Sequence, residues 1–264
     1  MIYMALHNGI PLHIDDAPSG LNCNCVCPAC GAPLVARKGK ERTAHFAHHS
    51  IRDCEFGYET SLHLLAKEII SKAKTIWLPP VYIELPHRRE ELYKWQSIPI
   101  TQVVLEKRFH NIIPDIIVYS GNAYFFIEIV VTHGIDDIKR EKIRSSNIST
   151  LEIDLSDLNQ QITPDMLSDI LLNQNQRKKW CYNRKANERY QYILHKSERR
   201  RIIQRGLALH VDYCPKKVRC WKGKPYANYI DDCLCCDFLV SQYEKNSCTV
   251  DYIRCSGRSM FLDK

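Results

Sequence analysis

Two carboxylates occupy single positions in strongly apolar, strand-like runs of the chain. Asp115 precedes the run "IIVYS", and Glu128 lies within "YFFIEIVV". Between the runs stands Gly121-Asn122, a pair that tolerates the positive φ of a two-residue hairpin loop. The predicted hairpin places Asp115 directly opposite Glu128, with Cβ atoms about 5 Å apart. Because two like charges among aliphatic side chains are costly, a positive partner is required there.

A divalent cation is the partner that we predict. Hard oxygen ligands favour Mg²⁺, which commonly takes one or two carboxylates together with water and phosphate oxygens. Such an ion polarises a phosphodiester and lowers the pKa of an attacking water. The alternative is an acid pair neutralised by nearby Lys or Arg. The facing arrangement inside apolar strands favours Mg²⁺ or Mn²⁺ bound at Asp115 and Glu128.

Thirteen cysteines lie near the two ends of the chain, between positions 23 and 54 and between 181 and 255. In a reducing compartment such clusters are more typical of metal ligands than of disulfides. Cys27 and Cys30 form the C-x2-C knuckle of a tetrahedral zinc site. His48 and Cys54 are the preferred remaining ligands, and His45 is the alternative. This segment has too few apolar residues to fold without a metal.

A second structural zinc site is predicted in the C-terminal segment. Cys233 and Cys236 supply its C-x2-C knuckle, whereas Cys214 and Cys255 stand in turn-like contexts. Cys220 is the alternative ligand.

Cationic side chains concentrate in one stretch. Between Arg177 and Arg205 there are eleven Lys and Arg against two acids, so this segment has a formal charge of +9. The whole chain has a formal net charge of +7, and the residues outside the segment therefore sum to −2. Aromatic residues are interleaved with these cations, a pattern typical of a phosphate- and base-binding surface. The predicted nucleic-acid contacts here are Arg177, Lys178, Lys179, Arg184, Lys185, Arg199, Arg200 and Arg201.

The remaining pattern predicts a mixed α/β protein. It comprises an N-terminal hairpin turning at Asn8-Gly9, a helix over 57–75, strands within 80–110, the 111–133 hairpin, a helix from Asp136, a strand over 149–156, and helices over 164–173 and 186–205. We therefore predict four parts: a hairpin and zinc-binding module (1–56), a mixed-sheet core (57–160), a basic helical segment (161–206), and a cysteine-rich, zinc-ribbon-like module (207–264).

The central residues resemble a known family. The stretch "IPDIIV … YFFIEIVVTHGIDDIKREKIRSSNISTLEIDLS" is similar to the PD-(D/E)XK nuclease superfamily. Together with "CPACGAPLVARKGKERTAHFAH" and "YETSLHLLAKEI", it resembles the CoiA-like competence group within that superfamily, over about residues 20–158. The resemblance implies a restriction-endonuclease-like core that cleaves nucleic acid with Mg²⁺. Asp115 would belong to the PD element, and Glu128 would be the second acid.

One position departs from that family's pattern. The motif places Lys two residues after the second acid, where this chain has Val130. Lys139 and Lys142, three residues apart on the next predicted helix, are the candidates to return a cation to the site.

The first predicted helix carries a polar stripe. Glu59, His63 and Lys67 are spaced at i, i+4 and i+8 and therefore share one helix face. Facing the hairpin, Glu59 would complete the metal shell, while His63 or Lys67 would contact a phosphate.

Two functions from different classes follow. The first is a Mg²⁺-dependent nuclease that acts in DNA uptake, recombination or anti-phage defence, with DNA favoured over RNA. The alternative is a non-catalytic nucleic-acid-binding or complex-assembly protein on the same fold, which Val130 favours. A partner protein in a larger complex is compatible with either function. We expect a cytoplasmic protein without a membrane partner, because the sequence shows no secretory signal and no run of about 18 uncharged residues.

Overall fold

The computed structural model describes residues 1–39, 42–50, 54–132, 134–158, 161–246 and 249–257. Contacts divide the chain into two compact units, Met1–Pro79 with Trp95–Asn183, and Pro80–Lys94 with Arg184–Lys264. The predicted four-part division stays a prediction beside this grouping. Within the described residues, no helix is long and apolar enough to cross a membrane.

Among its described residues, the first unit contains the α-helices α1 (Gly57–Lys72), α2 (Asp137–Ser146) and α3 (Pro164–Leu172). Its strands are β1 (Met4–His7), β2 (Ile10–His13), β3 (Gly20–Val26), β4 (Pro33–Arg37), β5 (His45–His48), β6 (Thr75–Leu78), β9 (Gln96–Pro99), β10 (Gln102–Leu105), β11 (Ile116–Ser120), β12 (Ala123–Val130), β13 (Thr150–Asp154) and β14 (Lys178–Tyr182). The second unit contains α4 (Arg184–Lys196) and the strands β7 (Val81–Leu85), β8 (Arg88–Tyr93), β15 (Glu198–Arg205), β16 (Ala208–Asp212), β17 (Arg219–Trp221), β18 (Lys224–Asn228), β19 (Leu239–Asn246) and β20 (Thr249–Cys255).

An N-terminal sheet has the strand order β2-β1-β3-β4-β5. The predicted hairpin is confirmed, because β1 and β2 pair around Asn8 and Gly9, whose φ angles are 50° and 78°. The buried hydroxyl of Ser61 in α1 accepts hydrogen bonds from the backbone N–H groups of Tyr3 at 3.0 Å and Met4 at 2.9 Å. These bonds attach α1 to the sheet, since two buried donors would otherwise be unsatisfied.

The central sheet has the order β10-β11-β12-β13-β14. The predicted hairpin register is confirmed, with Ser120 opposite Ala123 and Ile116 opposite Ile127. Strand β13 is parallel to β12 and follows it through α2. Successive side chains of a strand point to opposite faces. Ile127 accordingly packs in the core that includes α1, whereas Phe126 packs in a second core with Ile143 of α2.

Helix α2 begins where the sequence predicts. The Asp136 carboxylate accepts a hydrogen bond of 2.6 Å from the backbone N–H of Lys139, which satisfies one of the unpaired donors of the first turn. Asn147 ends the helix in the left-handed conformation, with φ 55°. Both ends of α2 are therefore set by local sequence, and they fix where Lys139 stands along the helix axis.

The second unit is built on a six-stranded sheet, β17-β18-β16-β15-β20-β19. The predicted helix over 186–205 is wrong in its second half, since α4 ends at Lys196 and β15 runs from Glu198 to Arg205. Strand β15 pairs with both β16 and β20. The β-branched pair Ile202-Ile203 suits a strand, and pairing on both sides overrides the helix-favouring charged residues.

Candidate functional site

The hairpin brings the two predicted carboxylates together. Asp115 lies immediately before β11, one residue beyond the pair of Ile116 and Ile127, and Glu128 lies in β12. The Glu128 side chain is 3% exposed. Its pKa is raised to about 7, first by burial and then by the negative charge of Asp115, although Lys139 acts in the opposite direction. The carboxylates therefore interact directly in a poorly hydrated place.

Asp115 is surrounded by donors. Its Oδ2 accepts a hydrogen bond of 2.9 Å from the backbone N–H of Ile129 and lies 3.2 Å from His63 Nε2. Its Oδ1 lies 3.2 Å from Lys67 Nζ. Burial acts to raise the pKa of Asp115, but His63, Lys67 and this N–H outweigh it and hold the pKa well below its ordinary value. Asp115 is thus a carboxylate at neutral pH.

Helix α1 supplies two of these donors from one face, as the polar stripe predicts. His63 and Lys67 are one turn apart and both reach Asp115. The predicted phosphate contact of Lys67 does not fit its position, because its side chain is 4% exposed and also binds Glu106 at 2.6 Å. Within the described part of the chain, Glu59 makes no hydrogen bond or ion pair to Asp115 or Glu128.

Glu128 forms an ion pair with a lysine of α2. Its Oε2 accepts a hydrogen bond from Lys139 Nζ, whereas its Oε1 is buried and has no hydrogen-bond partner among the described residues. Lys142 is exposed and forms no ion pair with Glu128 in the part of the chain that the structure describes. Of the two lysines predicted to replace the one missing at Val130, only Lys139 reaches the acid.

A neighbouring charged group was missed by sequence reasoning. Glu152 of β13 pairs in register with Glu128, is buried, and lies 2.6 Å from Lys179 Nζ. The Cys181 thiol donates to Glu152 at 3.3 Å, and burial raises the pKa of this thiol to about 12. The signal was present, since Glu152 lies between the apolar residues Leu151 and Ile153, as Glu128 lies between Ile127 and Ile129.

The N-terminal cysteines form a compact group with a histidine. The ligand atoms of Cys27, Cys30, His48 and Cys54 all lie within 4.8 Å of one another. Cys27 Sγ is 3.7 Å from Cys54 Sγ, and Cys30 Sγ is 3.4 Å from His48 Nε2. These are the four residues that the sequence favours, and they could hold zinc. The alternative, His45, instead places its Nδ1 at 2.9 Å from the carbonyl oxygen of Thr43.

Local backbone structure shapes this cluster. The turn after Cys27 is closed by a hydrogen bond of 2.9 Å from the N–H of Gly31 to the Cys27 carbonyl. The pKa of Cys30 is lowered to about 7, first by the backbone N–H of Ala32 and also by the side chains of the cluster, which favours a thiolate. A Cβ at Gly57 would meet Cys54 Sγ at 2.9 Å, so α1 must start with glycine there.

The C-terminal cysteines are arranged more loosely. Cys214, Cys233, Cys236 and Cys255 all line one cavity of about 30 Å³. Their sulfur atoms do not form a compact group. Among the described residues, the N-terminal cluster is the only place where three or more metal-ligating atoms of His, Cys, Asp or Glu lie close together. Burial and then the neighbouring thiols raise the pKa of Cys233 to about 12. Cys220 is exposed and lies outside the cavity lining.

Two of the predicted nucleic-acid contacts are buried and serve the fold. Lys178 Nζ donates a hydrogen bond of 2.8 Å to the Trp77 carbonyl, and burial lowers the pKa of Lys178 to about 8. Arg200 donates to the carbonyls of Asp212 at 3.0 Å and Tyr213 at 2.7 Å. The prediction of phosphate contacts for these two residues is therefore corrected, because burial removes their charges from any binding surface.

The other predicted contacts lie nearer the surface, and most are already paired. The ion pairs are Arg177 with Asp157, Lys179 with Glu152, and both Arg184 and Lys185 with Glu188. The Arg199 guanidinium lies 3.6 Å from the ring centroid of Tyr252, and Arg201 is exposed. The formal charge of the basic stretch therefore overstates the charge that it offers to phosphates. Their nucleic-acid role stays a prediction.

Replacing one ligand tests the N-terminal cluster. We expect Cys54→Ser to lose about one zinc equivalent per chain and to unfold at lower temperature, because a structural zinc contributes directly to folding. Elemental analysis and thermal denaturation of the full-length protein measure both effects. Cys235→Ser, at an exposed cysteine outside both clusters, is the matched control. Unchanged zinc content in Cys54→Ser would contradict the assignment, and His45→Ala against His48→Ala separates the two histidines.

Comparison with known families agrees with this geometry. Residues 21–57 match the family described as competence protein CoiA, N-terminal domain. The matched segment begins in β3, contains all four residues of the Cys and His cluster, and ends at the first residue of α1. No curated protein and no solved structure matches the chain. Residues 21–57 are thus similar to the N-terminal domain of competence protein CoiA.

Proposed function

We propose that the chain is a nuclease that hydrolyses phosphodiester bonds with Mg²⁺ or Mn²⁺. The observation that carries this proposal is the interaction of Asp115, immediately before β11, with the buried Glu128 of β12, surrounded by His63, Lys67 and Lys139. The CoiA-type domain suggests a competence-related protein, which is consistent with a nucleic-acid substrate. A restriction-endonuclease-like core, built from the hairpin, the parallel strand β13 and the two flanking helices, belongs to the same proposal.

The acid pair fits a divalent cation. Both side chains offer the oxygen ligands that Mg²⁺ and Mn²⁺ prefer. Glu128 Oε1 is buried without a hydrogen-bond partner among the described residues, so a donor or a cation is lacking there. A bound cation would supply Lewis acidity, polarising the phosphodiester and lowering the pKa of a bound water.

The cations of the protein divide into two roles. The Lys139 side chain is 32% exposed, so its ammonium reaches both Glu128 and solvent. We assign it the place of the lysine missing at Val130, whose ammonium would position or activate the attacking water. Lys67 is buried between two carboxylates, and His63 hydrogen-bonds Asp115. These two residues hold Asp115 ionised and oriented, and are positioning residues.

Cleavage assays test this proposal. We expect Asp115→Asn and Glu128→Gln each to reduce cleavage of labelled DNA or RNA at least about 100-fold with Mg²⁺ or Mn²⁺, because ligand loss removes several kcal/mol of transition-state stabilisation. Lys139→Ala should also cut more slowly, whereas Lys142→Ala is its matched control on the same helix. Glu141→Gln controls for the loss of an acid.

Wild-type protein that binds nucleic acid but cuts none with either metal would overturn the nuclease proposal. Unchanged binding in Asp115→Asn and Glu128→Gln would then favour the alternative, a non-catalytic binding protein. Cutting that survives in both variants would place the chemistry elsewhere in the molecule.

The raised pKa of Glu128 predicts a pH-dependent stability. Its pKa is 4.5 without the protein environment and about 7 in the fold, so its contribution is fully present below 4.5 and is lost as pH rises through 7. Near pH 8, without added divalent metal, Glu128→Gln should be more stable than the wild type by on the order of 3 kcal/mol. The difference should shrink near pH 5 because Glu128 is then protonated.

Thermal denaturation across that pH range measures the effect. Asp115 has the opposite shift, so its contribution is lost only in acid and does not alter this window. Added Mg²⁺ should stabilise the wild type near neutral pH and have little effect on Glu128→Gln. Glu141→Gln should behave as the wild type. Parallel pH profiles for wild type and Glu128→Gln would contradict the assigned environment.

We also propose a second structural zinc at Cys214, Cys233, Cys236 and Cys255. Their convergence on one cavity supports it, and metal binding would draw the four sulfurs together. We expect the wild type to contain about two zinc equivalents per chain, and Cys236→Ser about one. Cys220→Ser, at an exposed cysteine outside the cavity, is the control. If the wild type contains one zinc equivalent and Cys54→Ser loses it, the proposal of a second zinc site is wrong.

A further inference from the structure

The sheet of the second unit has one apolar and one polar face. Val211 of β16 and Ala227 of β18 are opposite each other and pack in the core. Their neighbours Asp212 and Tyr226 are also opposite each other, and so point to the other face. Lys224 shares that face by parity. This second face carries charged and aromatic side chains.

A cavity of about 540 Å³ lies on this face. Its lining includes four aromatic rings and three charged side chains, which are those of His210, Tyr213, Trp221, Tyr226, Arg205, Asp212 and Lys224. Cavities of roughly 300–1,000 Å³ are typical of sites for small molecules, and one nucleotide fits in such a space. Neither the acid pair nor the zinc clusters contribute to this lining.

The aromatic rings that line the cavity are accessible to a planar ligand. His210 and Tyr226 are in contact, with centroids 4.9 Å apart and planes inclined by 32°. Trp221 is 62% exposed, although burial of a large ring is ordinarily favourable. Lys222 Nζ lies 4.8 Å from the Trp221 ring centroid. Exposed aromatic faces beside cations are the elements on which unpaired bases stack.

The charges of the cavity favour an anion. Arg205 and Asp212 form two hydrogen bonds of 2.7 Å and neutralise each other. Lys224 adds a further positive charge to the same lining as the rings. A ligand with a planar ring and a phosphate therefore complements both features. A double helix hides the faces of its bases, so the matching ligand is an unpaired nucleotide.

The wall of the cavity is held from the core side. Arg200, buried beneath the sheet, donates to the carbonyls of Asp212 and Tyr213. The N–H of Tyr213 donates to the Pro225 carbonyl at 2.7 Å. The backbone that carries Asp212 and Tyr226 is thus fixed before any ligand binds, which reduces the ordering cost of binding.

We propose that this cavity binds an unpaired nucleotide of a single-stranded nucleic acid, with the base stacked on Trp221 and Tyr226 and a phosphate at Lys224. The inference deepens the proposed function by naming the strand form that is held, and it rests on that function only for the link to cleavage. Binding itself is independent of Asp115 and Glu128.

Anisotropy of a fluorescein-labelled oligothymidine tests the proposal with the full-length protein and no added Mg²⁺ or Mn²⁺. We expect Trp221→Ala to weaken binding roughly 5- to 150-fold, the range for loss of one stacked base. Trp221→Phe should keep most of the affinity. Tyr93→Ala removes an exposed aromatic residue of the same unit outside the cavity and should bind as the wild type.

Two further measurements separate stacking from charge. An abasic strand of the same length should bind wild type and Trp221→Ala equally, because it offers phosphates without bases. Lys224→Gln should reduce the salt dependence by about one phosphate contact. Equal oligothymidine affinity for wild type, Trp221→Ala and Tyr226→Ala would overturn the proposal, as would an equal loss in Tyr93→Ala.

The two proposals fail separately. If no protein cuts but Trp221→Ala still weakens binding of the single strand, the nuclease assignment is wrong and the nucleotide site stands. If Glu128→Gln abolishes cutting while Trp221→Ala binds single strands normally, the site is wrong and the nuclease assignment stands. A Glu128→Gln variant that retains single-strand affinity is expected under both.

Discussion

The close approach of two carboxylates, Asp115 just before β11 and the buried Glu128 in β12, is the constraint on which the first unit depends. Asp115 and Glu128 repel each other in a place that water reaches poorly. Helix α1 places His63 and Lys67 beside Asp115, and α2 places Lys139 beside Glu128. Each helix is held by a hydrogen bond outside the acid pair: Ser61 attaches α1 to the backbone of Met4, and Asp136 caps α2. Displacing either helix would leave a buried carboxylate unpaired, which is among the most destabilising changes that a protein can undergo.

Local chemistry explains what the sequence predicted well. Gly121-Asn122 fixes the hairpin register, and the register alone places Asp115 beside Glu128. The C-x2-C knuckle locates the cysteine and histidine cluster, and strand parity indicates that only one of His45 and His48 joins it. These features depend on neighbours in the chain or on a single strand pairing. A short stretch of residues therefore contains the information needed to predict them.

The failures depend on contacts between distant segments. Lys178 and Arg200 look like surface cations, yet each is buried because backbone carbonyls from elsewhere accept its hydrogen bonds. The segment after Lys196 looks helical, yet it forms a strand between two partners. Glu106 joins the site only because the fold brings it to Lys67. No spacing rule within one segment could have given these results.

The second unit is assembled from two separate stretches of chain, Pro80–Lys94 and Arg184–Lys264. Ile83 and Leu85 of the inserted hairpin share a core with Ile193 and Val240, which come more than a hundred positions later. A protein shortened at Asn183 would keep the β7–β8 hairpin but lose the residues that cover it, so the apolar side chains of the hairpin would be exposed to solvent. The two units therefore cannot be separated by a single cut of the chain, and the β7–β8 hairpin meets all of these partners only after the chain has been synthesised as far as Val240.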